Sequence, residues 1–320
     1  MHPAWSTDAS IVIPTHTERR WDSLTRTVAS ALAQEHRAAE VIVVVDHNPG
    51  LAERVKLELP GVTVLENESA RGASGTRNTG AFHSRTSLIA FLDDDTVASP
   101  AWLGGLIAPF ADPAVIGAGG GILPAWERHR PRWMPDELLW TVGVSYTGMP
   151  TSVAEIRNVW SASMMVRRDA FVKVGGFRVG FGKLGDQNRP EDTELCLRIS
   201  AATGGHWMYV PDATIEHEVP LGRSTFRFFL RRCYAEGRGK VQMAALLPRT
   251  QKLGAEQQYL RRTLPRAVAG NLAAAGRGRG AYHALRAATV IAAVAAAGLG
   301  GGVETLVALG DSTAAATVDQ

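Results

Sequence analysis

EVIVVVDHNPG, residues 40–50, decides the reading of the fold. Val41 to Val45 form a five-residue apolar run, mostly β-branched, that ends on Asp46 and is broken by Asn48, Pro49 and Gly50. A short run of this kind, bounded by turn residues, reads as a buried strand. Upstream, SIVIPT (10–15) reads the same way, and WDSLTRTVASALAQ (21–34) carries Leu24, Val28 and Ala31 at helical spacing behind Asp22 or Ser23 as a cap. Downstream come a helix over 51–59 and a strand, VTVLEN, over 62–67. This βαβαβ rhythm predicts an α/β fold with a mostly parallel central sheet and helices on both faces.

In such sheets ligands bind at the carboxyl ends of the strands, where this chain places its polar residues. Pro14 and Thr15, Asp46, and Asp93 to Asp95 each end an apolar strand. Any one is an ordinary turn residue; three strand ends together point to a site. ARGASGTRNTG (70–80) carries Gly72, Gly75 and Gly80 with Arg71, Arg77 and Asn78 ahead of another helix. Glycines let a backbone approach a phosphate and arginines neutralise it, although a glycine-rich turn before a helix is also common structure. The stretch is neither GxGxxG nor a Walker loop, which disfavours those two nucleotide folds.

FLDDDT (91–96) sets three carboxylates side by side. They repel one another unless a cation or hydrogen-bonding ligand sits among them, and a divalent metal resolves this. On an extended chain Asp93 and Asp95 point the same way and Asp94 the opposite way, so the outer pair would share an ion; hard oxygen ligands favour Mg²⁺ or Mn²⁺. Further on, RPEDTELCLRI (189–199) starts with Pro190, continues with Glu191, Asp192 and Glu194, and carries Leu195 and Ile199 on one stripe, the pattern of a helix N-terminus. TIEHEVP (214–220) presents His217 on a short strand.

Strand-end Asp46, the Gly/Arg stretch, FLDDDT, the GGF of VGGFRVGFGKL (174–184), PEDTELCLR and His217 resemble, in order and spacing over about residues 8 to 220, a family 2 glycosyltransferase of the GT-A fold. Within that family the chain is similar to the bacterial and archaeal glucosyl-dolichyl-phosphate glucuronosyltransferase-like enzymes. The resemblance implies an inverting, metal-dependent transfer from a nucleotide-diphosphate sugar, usually a UDP-sugar, to an acceptor hydroxyl. It implies that Asp46 hydrogen-bonds the base, with Thr15 at the rim and Arg71 and Arg77 near the nucleotide. Asp93 and Asp95 would hold Mn²⁺ or Mg²⁺, with Asp94 near the ribose and His217 as a later metal ligand. Asp192 would be the general base, with Glu191 able to exchange roles with it. The acceptor would be a glycan, lipid-linked, or a small molecule. The division expected is a catalytic domain over 1–220, with a nucleotide-sugar half over 8–96 and an acceptor and catalytic half over 97–220, followed by a helical region over 221–320.

Between the two acidic motifs, Trp126, Trp133 and Trp140 are either sugar-stacking platforms or plain core. NVWSASMMVRRDAF (158–171) reads as a strand entering a helix, with small Ser161, Ala162 and Ser163 leaving room beneath a substrate, and GFGKLGDQ (180–187) as a loop able to close on substrate.

The net charge of +3 conceals a polarity: Leu221 to Arg286 holds fourteen Lys or Arg against two Glu, and the rest of the chain sums to minus nine. A basic segment of that size suits an anionic partner. STFRFFLRRCYAEGRGKVQMAALL (224–247) places Phe226, Leu230, Cys233, Gly237 and Val241 on one helical face, the pattern of a basic amphipathic helix that either packs on the protein or meets a membrane. AATVIAAVAAAGLGGGV (287–303) has 17 uncharged residues, just short of a full span, and reads as a helical hairpin element or a weak membrane contact. Peripheral membrane contact through 221–303 is therefore expected, and nucleic acid is not, because few aromatics interleave with the arginines. The N-terminus lacks a basic start before an apolar run, and Cys196 and Cys233 have neither CxxC spacing nor a His partner. The expected location is cytoplasmic, at the inner face of the cell membrane. A nucleotidyltransferase is disfavoured because PTHTERR stands where its glycine-rich loop would follow the first strand. A non-catalytic sugar-nucleotide sensor is disfavoured by the intact acidic motifs.

Overall fold

The computed structural model describes residues 8–184, 187–246, 259–278 and 280–318. They fall into two compact units: the first holds the described residues up to 125, 150–184 and 190–218, the second 126–149, 187–189 and those from 219 onward.

In the first unit the βαβ rhythm is present as read. Strand β1 (Ala9–Thr15) leads to α1 (Trp21–Leu32), β2 (Glu40–Val45), α2 (Pro49–Glu58), β3 (Thr63–Glu66), α3 (Ala73–His83) and β4 (Leu88–Leu92). β1 lies between β2 and β4, and β2 pairs with β3, all parallel. Val41 to Val45 are all buried, as the unbroken run required. Helix α1 buries Leu24, Val28 and Ala31, the predicted stripe.

After β4 the direction changes. β5 (Thr96–Ala98), α4 (Trp102–Ile107), β6 (Val115–Trp126), β7 (Ala154–Ile156), β8 (Ser163–Arg167), α5 (Arg168–Lys173), β9 (Gly182–Leu184), β10 (Gln187–Arg189), α6 (Glu191–Thr203) and β11 (His206–Val219) follow. The main sheet runs β3-β2-β1-β4-β8-β6-β11-β5, with β7 also on β11. β8 is antiparallel to both β4 and β6, and β11 to both β5 and β7. The parallel half positions strand ends, and the antiparallel half carries His217 back beside them.

One core unites the halves: Val12, Ile42, Val44, Ile89 and Phe91 from the parallel strands meet Met164, Phe171, Phe177, Leu195 and Trp207. Each such side chain contributes about 1.5–3 kcal/mol on burial. A Cβ on Gly117 would lie 2.1 Å from the Trp207 ring, so β6 carries glycine at the position where that indole crosses it.

In the second unit, α7 (Phe226–Leu246), α8 (Leu264–Gly276) and α9 (Tyr282–Val318) pack with a short helical turn at Asp136–Val142. Its core joins Leu138, Phe229, Cys233, Leu264, Ala267, Val290 and Ala293. Trp133 stands edge-on to Phe226 and Phe229, and Trp140 donates from Nε1 to the Tyr259 hydroxyl at 3.2 Å, so both tryptophans are used in packing. The predicted apolar face of α7 is covered in part: Cys233 is buried, Leu230 and Val241 are half-buried, Phe226 is exposed, and a Cβ on Gly237 would lie 1.9 Å from the Ala297 carbonyl oxygen of α9. The segment read as a hairpin element lies within the 37-residue helix α9, which folds back on α8, with His283 Nδ1 2.9 Å from Asn271 Oδ1.

Candidate active site

The strand ends of the first unit gather three groups of side chains. The first surrounds Asp46, which follows β2 and donates its amide to the Thr15 carbonyl at 2.8 Å. Its Oδ1 accepts from Asn67 Nδ2 at 2.7 Å and faces His47 Nδ1 at 2.8 Å; its Oδ2 accepts from the Gly72 amide at 2.9 Å. Burial, which works against ionisation, is outweighed by these hydrogen bonds, and the carboxyl sits below its ordinary range. A carboxylate offers about four lone-pair positions, so one acceptor position remains beyond these three contacts. Gly72 adopts φ +119°, which favours glycine, and this turns its amide toward Asp46. Asn67, at the end of β3, also accepts from Ser69 N at 2.9 Å and Thr79 Oγ1 at 3.0 Å, which holds it in place.

Of the two readings left open for the Gly/Arg stretch, the structure shows the glycine-rich turn that runs into a helix. Helix α3 begins inside it, at Ala73, so Arg77, Asn78 and Gly80 are helical. Gly80 is where the helix rests on the sheet: a Cβ there would lie 2.6 Å from Val12 and 2.8 Å from Val44. Arg71 is exposed, whereas Arg77 is buried.

The aspartate triplet splits in an unexpected way. The chain turns at Asp94 and Asp95, so strand alternation does not apply, and Asp93 parts company with the other two. Asp94 Oδ2 accepts from Thr15 Oγ1 at 2.8 Å, and its Oδ1 lies 2.6 Å from Arg20 Nη1; the same nitrogen is 3.3 Å from Asp95 Oδ2. Burial raises the Asp94 carboxyl even against the pull of Arg20. Burial also opposes the Arg20 charge, but Asp95 and Asp94 outweigh it and strengthen the guanidinium's hold on its proton. Arg20 therefore supplies part of the counter-charge that the sequence reading asked of a cation or hydrogen-bonding ligand among the three.

Asp95 Oδ1 is 3.5 Å from His217 Nε2. The antiparallel register of β11 on β5 sets His217 opposite Thr96, and the Glu218 amide donates to the Asp95 carbonyl at 3.0 Å. Glu218 is tied to α1 by Ser23 Oγ at 2.8 Å and by Arg26.

The third group is centred on Arg77. Its Nη2 lies 2.6 Å from Asp93 Oδ1 and its Nη1 3.7 Å from Glu191 Oε1. Burial works against this charge, but Asp93, Glu191 and Asp192 together hold the guanidinium firmly protonated. Glu191 and Asp192 occupy the first turn of α6, behind Pro190 as read. Asp192 accepts from Ser161, while its Oδ1 has no hydrogen-bond partner among the described residues. Burial, then the neighbouring Asp192, pushes Glu191 up to about 8; burial also raises Asp192, against Arg77 and Ser161.

The GGF turn supports this arrangement. Asn78 grips Phe177 through both backbone groups, at 2.7 and 2.8 Å, and Arg198 donates to the carbonyls of Val174 and Gly176 at 2.6 and 2.8 Å. Ser161 and Ser163 are not open space: Ser161 bonds Asp192, and Ser163 Oγ accepts from Trp102 Nε1 at 2.9 Å. Of GFGKLGDQ, read as a closing loop, Gly182–Leu184 form strand β9, while Gly185 and Asp186 lie outside the described residues. Arg20 and Asn67 were not singled out as site residues, and Ser161 was read only as leaving room beneath a substrate; the one signal for Arg20 was its place just after the first strand.

The family model for glycosyl transferase family 2 matches residues 10–175, which span the Asp46 and triplet clusters. The chain belongs to glycosyltransferase family 2. This family 2 glycosyltransferase is 30% identical over 244 residues to a glucosyl-dolichyl phosphate glucuronosyltransferase of Haloferax volcanii, covering 75% of this chain and 78% of that one. It is 26% identical to the succinoglycan biosynthesis protein ExoM of Rhizobium meliloti, covering 68% and 69% of the two chains. Among solved structures, a mannosyltransferase from Pyrobaculum calidifontis in complex with GDP-Man and Mn²⁺ superposes with a TM-score of 0.57 at 18% identity, covering 92% of this chain and 87% of that one. GalNAc-T7 with UDP, GalNAc and Mn²⁺ gives 0.52 at 19% identity, covering 80% of this chain and 54% of that one. These two likenesses establish the shared GT-A glycosyltransferase fold.

Proposed function

We propose that this glycosyltransferase moves a sugar, with inversion, from a nucleotide-diphosphate sugar, a UDP-sugar by the family resemblance, to a hydroxyl of a lipid-linked glycan. The observation that carries the reading is the meeting of Asp95 with His217, while Asp93, through Arg77, reaches the Glu191 and Asp192 pair. Asp46, with one acceptor position left, suits an N–H of the base, and Thr15 and Asp94 line the adjoining strand end.

The donor set fits a divalent ion. A carboxylate oxygen and an imidazole nitrogen 3.5 Å apart are too distant to hydrogen-bond well. Two ligands of one ion with bonds of about 2.1 Å lie roughly 3 Å apart, close to this separation. Among the described residues no three His, Cys, Asp or Glu side chains converge, so the remaining ligands would come from the donor diphosphate and water. Asp95 and His217 would hold Mn²⁺ or Mg²⁺, which supplies neutralisation of the charge growing on the departing diphosphate. Asp192 or its neighbour Glu191 takes the proton of the acceptor hydroxyl as its oxygen bonds to the anomeric carbon. The bond from that carbon to the diphosphate breaks on the opposite face, and the centre inverts.

The lipid-linked acceptor is supported by the relative from Haloferax volcanii and by α9. Its Tyr282–Val307 segment is long and apolar enough to cross a membrane, with mean hydropathy 1.8 and only 17% burial. Ile291, Leu299 and Leu306 are exposed, while Glu304 accepts from Arg238 and Gln242, both at 2.7 Å. On this ground we propose that α9 brings the protein to a membrane surface.

A thermal-shift and hydrolysis screen against UDP-, GDP- and dTDP-sugars with Mn²⁺ tests the reading. One nucleotide family should stabilise the protein only with metal. Asp95→Ala should lose that stabilisation, and Asp192→Asn should keep it while turnover stops. Binding of no sugar nucleotide under any condition would sink the assignment of this site.

A further inference from the structure

We infer that Arg20 is an exchangeable internal cation: it holds Asp95 until a divalent metal takes that carboxylate, and then serves the donor diphosphate, so that metal and donor bind together. The inference rests on the reading of Asp95 and His217 as metal ligands.

The two arginines of the site are not equivalent. Arg77 has a side chain 5% exposed and lies on α3, inside the packing of the sheet. Arg20 has a side chain 35% exposed and ends the three-residue turn Glu18–Arg20 between β1 and α1. It is free to move in a way Arg77 is not. Its two contacts are also unequal. The bond to Asp94 is short, at 2.6 Å, and Asp94 is held from its other oxygen by Thr15; the approach to Asp95 is longer, at 3.3 Å. The longer contact is the one that yields.

Asp95 is shared between two partners: Oδ2 lies toward Arg20, and Oδ1 lies toward His217. A divalent ion bound at Asp95 and His217 would sit beside a guanidinium of like sign, which disfavours metal alone. A nucleoside diphosphate brings the opposite charge to both cations and removes that conflict. Reciprocal coupling follows: each should raise the affinity of the other by the same factor.

Equilibrium Mn²⁺ binding, read by the electron paramagnetic resonance of free Mn²⁺, tests this on the full chain with and without saturating UDP, or GDP if the screen selects it. In the wild type, the nucleotide should tighten Mn²⁺ binding by tenfold or more, on the order of 1.4 kcal/mol of coupling. Without nucleotide, Arg20→Met should bind Mn²⁺ about tenfold tighter than the wild type, and the nucleotide effect should shrink by a similar factor. Arg20→Met leaves the buried Asp94 without its cation, so Arg20→Lys is measured beside it. A lysine keeps the charge but not the fork that reaches two carboxylates, and should fall between the two. Variants that bind Mn²⁺ no tighter than the wild type without nucleotide overturn the inference. Asp95→Ala separates the two levels: if it binds Mn²⁺ as the wild type does, the metal-site reading fails first and the exchange of Arg20 fails with it.

Discussion

Glu191 and Asp192 are adjacent acids in the first turn of α6, with Arg77 and Asp93 beside them, and the charge of Asp192 acts directly on Glu191. Such a pair titrates as a unit, so its behaviour belongs to both residues. Because burial raises both members of the pair, the transfer rate should rise with pH as the base, Asp192, loses its proton later than an ordinary aspartate. Glu191→Gln removes a like charge from Asp192 and should move the rising limb to lower pH while turnover persists. Stability follows the same shift with a defined sign. A carboxyl whose folded pKa lies above its unfolded value favours the folded state when protonated, so that contribution is present at acid pH and lost as pH rises from the ordinary glutamate range toward 8. Melting curves should therefore show Glu191→Gln more stable than the wild type at pH 8.5 and not at pH 5; an unchanged difference across that range would count against the shift. Asp46 behaves in the opposite sense: held below its ordinary range, it stabilises the fold at neutral pH and loses that contribution in acid. These acids were legible in the sequence because each ends a strand or opens a helix. Arg20 and Asn67 were not, because a hydrogen-bond partner 74 or 21 residues away leaves no local trace.

At the scale of elements, Gly75 and Gly80 of the stretch read either as a phosphate approach or as a turn before a helix are packing positions. Gly80 allows α3 to lie on β1 and β2, and Gly80→Val should destabilise the fold by about 1–3 kcal/mol, the usual cost of overpacking a well-filled core. Denaturant titration measures it; a loss below about 0.5 kcal/mol, the range of an ordinary surface substitution, would show that the helix shifts at little expense. In the second unit α7 and α9 approach through Gly237 and Gly300, where added Cβ atoms would lie 1.9 and 2.0 Å from carbonyl oxygens of the facing helix. Helices that close on small residues gain backbone contact that larger side chains prevent. Gly237→Leu should force them apart and lower the melting temperature. The periodicity of α7 revealed its apolar face but not its partner, because periodicity identifies a face to be buried and says nothing of what buries it.

For the whole molecule, the basic C-terminal segment and the exposed apolar flank of α9 point to an anionic lipid surface. The chain should float with anionic phospholipid vesicles. Ile291→Glu combined with Leu299→Glu should leave it unbound while hydrolysis of the soluble donor continues. Flotation unaffected by the double substitution would remove α9 from the membrane reading. The parallel half of the sheet, its order of strands and helices, and the acids at its strand ends were settled by local pattern, since runs of Val and Ile and the residues that stop them are properties of neighbouring positions. The antiparallel half, the turn that separates Asp93 from Asp94 and Asp95, the placing of two arginines among the carboxylates and the return of His217 beside Asp95 came only with the tertiary structure. Each depends on the register between strands far apart in the chain, and register is decided by how whole side-chain layers pack.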